Sequence, residues 1–303
     1  MECASLATSD ERVTEARQRR LDAARGLPTP VSPIGWTRLA MRVLLLALTL
    51  AILVPLHYAY RLIAYGSPFP RLFLAAATRI IGVRTAVVGK PLRRDVLFIA
   101  NHVSWLDILA IAGASGTAFI AKAEVARTPV IGWLARLNRT VFVKREARLD
   151  IAAQIDALRK ALADNAAIAV FPEGTTTDGH SLLPFKTSML RVLEPPPPGV
   201  QVQPVFLDYG AMAEEIGWIG LESGLNNVRR ILSRSGTFVL RLHFLAPFSP
   251  DEVGGRKAIA AEARRRIEAA LCASLGQPPR AFSHDVEPVR YTAPVQSDGS
   301  GGV

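Results

Sequence analysis

The sequence predicts an α/β protein: a mostly parallel central sheet flanked by helices, preceded by an N-terminal membrane-associating helical segment. Three observations carry that reading. From Asp95 onward, short apolar runs bounded by turn residues alternate with stretches of helical period, the pattern of strand–helix–strand units. Upstream, "VLLLALTLAILVPLHYAY" (43–60) holds 18 residues without Lys, Arg, Asp or Glu, near the lower end of the roughly 17–25 that cross a bilayer. Between Val43 and Arg94 there are seven basic residues and no acidic one, and cations beside a membrane-seeking helix are drawn to anionic headgroups by about 1 kcal/mol each.

The totals narrow the function. A net charge of +10 over 303 residues calls for an anionic partner such as an anionic membrane surface or a phosphorylated substrate. No nucleic acid partner is expected, because aromatics are sparse and no zinc-knuckle, helix-turn-helix or RNA-binding signature occurs. Cys3 and Cys272 stand far apart. They support neither a disulfide framework nor a metal site, and they fit a reducing compartment. No metal and no cofactor is expected.

Taken in order, residues 1–33 are charged and end in "LPTPVSP", which reads as a mobile or loosely helical tail. It is not a secretory signal, since the apolar run begins too far in and no small-residue cleavage site follows it. Residues 34–84 form the membrane-associating segment. Pro55 weakens its last turn, and Tyr58 and Tyr60 suit a membrane interface. "LFLAAATRIIGV" (72–83) is interrupted by Arg79 and too short to span. A full span and a hairpin dipping into one leaflet both fit, and arginines on both flanks leave the orientation open.

Residues 85–276 form the folded domain. "VLFIA" (96–100), "AFIA" (118–121), "TVFVK" (140–144), "AIAVF" (167–171) and "VQPVFL" (202–207) read as buried strands, and "TFVLRLHFL" (237–245) as a strand near an edge. "SWLDILAIAG", "PVIGWLARLN" and "ARLDIAAQIDALRKALADN" read as helices. In the last of these, Leu149, Ala152, Ile155, Leu158 and Leu162 recur every three to four residues. "PPPP" (195–198) is a surface loop, 256–276 a basic terminal helix, and 277–303 a disordered tail.

The chemistry centres on "NHVSWLD" (101–107). Residues five apart on a regular helix diverge by about 140°, so His102 and Asp107 meet only if the helix starts between them. Ser104 is a good N-cap, which puts Asp107 in the first turn and His102 in the strand-to-helix loop. That loop lies at the C-terminal edge of a strand, where sites in open α/β sheets form. "FPEGTTTDG" (171–179) follows a second buried strand and offers backbone N–H groups and hydroxyls to an anion or polar headgroup. An ordinary surface turn would account for its Gly and Thr residues, but less readily for Glu173 between Pro172 and Gly174. In "TVFVKRE", Lys144 and Arg145 place cations beside the same sheet edge; alone, they would read as a solvated basic pair. In "QPVFLDY", Pro204 opens a buried strand.

These four pieces, in this order, resemble the glycerolipid acyltransferase family that includes 1-acylglycerol-3-phosphate acyltransferases. "NHVSWLD" matches its first motif, "VFVKR" resembles its second through Phe142 and Arg145, "FPEGT" matches the third, and "QPVFL" resembles the fourth. The resemblance covers about residues 85–250. It implies transfer of a fatty acyl group from acyl carrier protein or a coenzyme A thioester to the free hydroxyl of a lysophospholipid. His102 would take the hydroxyl proton while Asp107 fixes its tautomer and stabilises the imidazolium. No Gly-x-Ser-x-Gly nucleophile elbow occurs, so direct transfer without an acyl-enzyme fits.

Arg145, Glu173, Gly174, Thr175 and Thr176 would bind the acceptor headgroup. Phosphatidate-forming members usually carry Arg and Ser after "FPEGT", where this chain has Thr176 and Thr177, with Lys186 downstream as a partial replacement cation. The frequency of phosphatidate synthesis in the family makes 1-acylglycerol-3-phosphate the expected acceptor. Thr176 makes another lyso-lipid, such as lyso-ornithine lipid, the alternative. The expected location is the inner (cytoplasmic) membrane, with the catalytic domain on the cytoplasmic side. A non-catalytic membrane-surface protein and an acyl hydrolase are the competing classes.

Overall fold

The computed structural model describes residues 14–64, 66–143, 156, 159–162 and 167–282. A seven-stranded sheet runs in the order β1-β7-β6-β2-β5-β3-β4, with β1 Val83–Val88, β2 Val96–Ala100, β3 Ala118–Lys122, β4 Val141–Val143, β5 Ala167–Val170, β6 Gln201–Asp208 and β7 Phe238–Phe244. All neighbours pair in parallel except β6 and β7. The central strands β2 and β5 are buried at every position, which is why they read as continuous apolar runs rather than alternating ones.

Two apolar layers cover the sheet. On one face Phe98, Leu106, Ile111, Leu240 and Leu242 pack with Phe73, Leu74 and Ile81 of the Phe69–Ile81 helix. On the other, Leu97, Ile99, Ile168 and Phe206 pack with Ile259, Ala263 and Ile267 of the terminal Gly255–Leu275 helix.

"TFVLRLHFL" lies near an edge, as expected: β7 has only β1 outside it. Its alternating burial arises because its other face looks outward, with Val239 and Arg241 exposed between Phe238, Leu240 and Leu242. Strand β1 itself is an addition to the expected set. It carries Arg84 and Thr85 and follows the preceding helix with only Gly82 between. Gly82 sits at φ 101°, a left-handed C-cap that lets the chain turn straight from helix into strand.

The apolar segment is longer than the sequence suggested. It is one helix, Pro33–Arg61, begun by Ser32, whose Oγ accepts the Gly35 N–H at 3.1 Å. Its most apolar 18-residue stretch contains no buried residue, although Leu39, Leu46, Leu50 and Leu53 lean on the core. The Arg42 guanidinium donates to the carbonyls of Ile231, Leu232 and Arg234, fastening this helix to the end of the Gly224–Ser233 helix.

Where they are described, both tails touch the domain. Residues 14–24 are helical, and Ala23, Ala24 and Arg20 are buried. Leu221 N–H bonds to Ala24 carbonyl at 2.7 Å, and Arg20 pairs with Glu214 at 3.0 Å. Paired and desolvated, Arg20 docks this stretch onto the domain. At the other end, Arg280 bonds to Asp178 at 2.9 Å and Glu214 at 3.0 Å, so the start of the 277–303 segment crosses the loop that follows β5. Residues 1–13 and 283–303 lie outside the described residues, as does most of the helix expected from Ala147 onward.

Candidate active site

The C-terminal ends of β2 and β5 converge, and the loops that leave them are bonded to each other. His102 N–H donates to Glu173 Oε1 at 2.8 Å, and Leu183 N–H to Glu173 Oε2 at 2.9 Å. The Thr177 N–H returns to the His102 carbonyl at 2.8 Å. Asn101 continues the β2–β6 ladder with its side chain, accepting from Leu207 N–H at 2.7 Å. Both "NHVSWLD" and "FPEGTTTDG" are therefore held by backbone hydrogen bonds as one surface.

His102 and Asp107 meet, as the loop geometry predicts. His102 Nδ1 lies 2.8 Å from Asp107 Oδ2. The helix begins at Leu106, with Trp105 rather than Ser104 at the cap position. The physical reason is the Asp107 carboxylate. Its Oδ2 accepts the N–H groups of Val103 at 2.7 Å and Ser104 at 3.0 Å, so it closes the turn that a capping hydroxyl would otherwise close. Tyr209 OH donates to Oδ1 at 2.5 Å. Asp107 is fully buried, whereas the His102 side chain is 18 % exposed. The His102 ring stacks on Phe171, with centroids 4.1 Å apart.

With Nδ1–H committed to the carboxylate, Nε2 keeps the lone pair. Such an arrangement can serve chemically as a positioned base with one edge open. Burial, then the Asp107 charge and its hydrogen bond, push the Tyr209 phenol well above its ordinary pKa. Tyr209 is therefore a donor to Asp107 and not itself an acid–base group. Sequence reasoning missed this residue; its only signal was a Tyr closing "QPVFLDY" at the end of β6.

Glu173 is almost wholly buried. Desolvation first, and more weakly the Asp107 charge, raise its pKa to about 8 against two backbone hydrogen bonds that lower it. Its oxygens meet main-chain N–H groups of the two loops. Gly174, at φ 75°, lies under Lys186: a Cβ there would stand 2.8 Å from Nζ. Thr175 is exposed. Thr176 donates its hydroxyl to the Trp218 carbonyl. Lys186 is exposed, with its N–H bonded to Pro172 carbonyl at 2.9 Å. Arg145, and Lys144 beside it, lie outside the described residues. Among the described residues no His, Cys, Asp and Glu cluster could hold a metal ion.

Comparison with known proteins agrees with this geometry. The acyltransferase family matches residues 84–208, the span from β1 to the end of β6. A lyso-ornithine lipid O-acyltransferase of Rhodobacter capsulatus is 33 % identical over 263 residues, 82 % of this chain and 94 % of that protein. A 1-acyl-sn-glycerol-3-phosphate acyltransferase of Neisseria gonorrhoeae is 39 % identical over 107 residues, 34 % of this chain and 42 % of that protein. The fold matches the crystal structure of the 1-acyl-sn-glycerophosphate acyltransferase PlsC from Thermotoga maritima, with a TM-score of 0.55 and 21 % identity over 80 % of this chain and all of that one. By sequence match and fold, the chain belongs to the acyltransferase family.

Proposed function

We propose that the protein transfers a fatty acyl group from a thioester to the hydroxyl of lyso-ornithine lipid. The observation that carries the acyl-transfer chemistry is the His102–Asp107 pair, with Nδ1 held at 2.8 Å and Nε2 left to take the acceptor's proton. The alcohol oxygen attacks the thioester carbonyl as its proton passes to Nε2. The imidazolium formed is stabilised by Asp107 and returns that proton to the leaving thiolate. No covalent enzyme intermediate is needed. Glu173 holds the main chain on which His102 rides, and the Phe171 ring fixes the plane of the imidazole. A base placed in this way contributes about 10²–10⁴-fold to the rate.

The choice of acceptor is supported by Thr176. A phosphate monoester asks for cations, whereas an ornithine headgroup carries its own ammonium and carboxylate. Where phosphatidate-forming enzymes usually have Arg, this chain has a neutral hydroxyl turned onto the Trp218 carbonyl. The relative matched over most of both chains is a lyso-ornithine lipid O-acyltransferase. Lys186 favours the second reading, 1-acylglycerol-3-phosphate as acceptor, because its ammonium lies beside Gly174 in the headgroup loop. Acyl transfer to the two acceptors offered in parallel, with Thr176→Arg as a second protein, tests the choice. Preference for lyso-ornithine lipid that shifts toward lysophosphatidate in Thr176→Arg is expected; preference of the wild type for lysophosphatidate refutes it.

The donor is acyl carrier protein or a coenzyme A thioester, both anionic, which the net charge of +10 attracts. The Pro33–Arg61 helix associates with the membrane. It packs on the rest of the fold from Gly35, beside Ser233, to Leu50 and Leu53, which lean on the core. A helix bound along its flank in this way favours insertion into one leaflet over a crossing, because a crossing would drag the domain into the hydrocarbon. The location we propose is the cytoplasmic face of the inner membrane.

A further inference from the structure

The opposite end of the Leu106–Ser115 helix carries a different kind of polar cluster, which the acyl-transfer chemistry does not use. A groove of about 400 Å³ lies between this helix, the Phe69–Ile81 helix and the edge strand β1. It is within the range of about 300–1,000 Å³ that small ligands occupy. Arg71, Arg79 and Arg93 line it together with Thr78 and Thr85, and no acidic side chain does.

The three arginines are not scattered surface charges. Arg71 donates through Nε to Gly113 carbonyl at 3.2 Å and through Nη2 to Ala114 carbonyl at 3.0 Å. Arg93 donates through Nη1 to the carbonyls of Ala114 at 3.2 Å and Ser115 at 3.1 Å. Two guanidinium groups thus share one acceptor and are held side by side. Burial first, and then the Arg93 charge, hold the Arg71 pKa below its ordinary value. Each retains N–H groups that no acceptor among the described residues takes. The Arg79 guanidinium, two helical turns beyond Arg71, has no hydrogen bond or ion pair among them. Two fixed guanidinium groups and a third, unbound one line the same groove with no acidic side chain among them, which makes a site for a polyvalent oxyanion, since guanidinium forks match phosphate oxygens.

The surroundings say where that oxyanion comes from. The helical hairpin that supplies Arg71 exposes Leu62, Ile63 and Leu72 at 86 %, 83 % and 50 %, beside the apolar Pro33–Arg61 helix. Apolar side chains next to a ring of arginines are what a lipid needs, its chains in one and its phosphate in the other. We infer that this groove binds the phosphate of an anionic phospholipid, at a site separate from the candidate active site. The ten-residue helix between them spans about 15 Å. The proposal rests on the membrane reading above and adds a specific headgroup site to it.

The test is sedimentation of the full-length protein with vesicles of phosphatidylcholine alone or mixed with phosphatidylglycerol, at one ionic strength. The wild type is compared with Arg79→Ala, whose side chain holds nothing within the fold, and with Arg84→Ala, an exposed cation on β1 outside the groove. Phosphatidylglycerol should raise wild-type binding. Arg79→Ala should lose about fivefold of that gain, the effect of one well-placed cation near the surface, with Arg84→Ala changed less than twofold and binding to phosphatidylcholine equal in all three. Equal losses in both variants would mean diffuse attraction and overturn the site, as would a wild type indifferent to phosphatidylglycerol. Failure of the wild type to bind any vesicle would instead fell the membrane reading. In a parallel arm, inorganic phosphate is added to the protein without lipid. Protection of the wild type against thermal unfolding that Arg79→Ala lacks, with no response to phosphatidylglycerol, would assign the groove to a soluble phosphate and overturn the lipid source.

Discussion

The two ends of the Leu106–Ser115 helix are built to opposite rules. At its N-terminus one carboxylate, Asp107, is fully buried and wrapped by four donors: the His102 ring, two backbone N–H groups and the Tyr209 hydroxyl. At its C-terminus two guanidinium groups sit exposed on the last carbonyls. Both ends complement the helix macrodipole. The difference lies in what is left over. The buried end gives each oxygen of its anion a donor and leaves one imidazole nitrogen open, which suits chemistry. The exposed end leaves cationic donors open, which suits binding. Catalysis demands one group in one protonation state; attraction to a surface demands charge within reach.

The largest effect that would break this contrast is at the buried end. Asp107→Asn keeps the shape but removes the charge that orients and stabilises His102. Activity should fall by about 10²–10⁴-fold, measured as kcat for acyl transfer with the protein folded. A loss of less than tenfold would reduce Asp107 to a capping residue. Tyr209→Phe removes one donor to Asp107 and sharpens the comparison. The carboxylate keeps its charge and loses its one donor on Oδ1, so kcat for acyl transfer should fall by less than in Asp107→Asn. A loss as large as that of Asp107→Asn would mean that the pair does not form without Tyr209.

Glu173 gives a stability effect. The unfolded carboxyl ionises near 4.5, the folded one near 8. Between these values the folded chain holds a proton that the unfolded chain has lost, so stability falls as pH rises through that window. Glu173→Gln should flatten the slope. It should also cost about 1–3 kcal/mol at low pH, since its amide NH₂ faces a backbone N–H. Thermal melts across this pH range read both, and a wild type whose stability rises toward pH 8 would contradict the assignment. The smallest effect is at the exposed end. Arg71→Ala should lower stability by about 0.3–1 kcal/mol through the helix dipole, seen as a small drop in melting temperature with acyl transfer in detergent unchanged.

What the sequence made legible follows the same division. β2 and β5 are buried on both faces, so apolar composition alone located them. β1 could not be read this way, because exposed Arg84 and Thr85 break its apolar pattern. His102 and Asp107 were legible as a local pair whose loop geometry could be worked out. Tyr209 was not: its contact with Asp107 spans 102 residues of sequence, and nothing local marks a phenol as a donor to a distant carboxylate. Arg20 was invisible for the same reason, since its partner Glu214 lies 194 residues away. Glu173 was legible as unusual, but the backbone groups it accepts could be identified only once the two loops were brought together. The arginines of the groove were legible as charge, yet only the fold shows three of them around one cavity.

The proposed mechanism stands on His102 as the base for acyl transfer to a lipid hydroxyl. Its most direct test is transfer of a labelled acyl group to lyso-ornithine lipid by wild-type protein and by His102→Ala, both in membranes and at matched amounts of folded protein. Labelled diacyl product is expected with the wild type, and a loss of at least about 10²-fold in the variant. Equal product from the two proteins would make "NHVSWLD" a helix start and nothing more, and the mechanism proposed for this chain would fall with it.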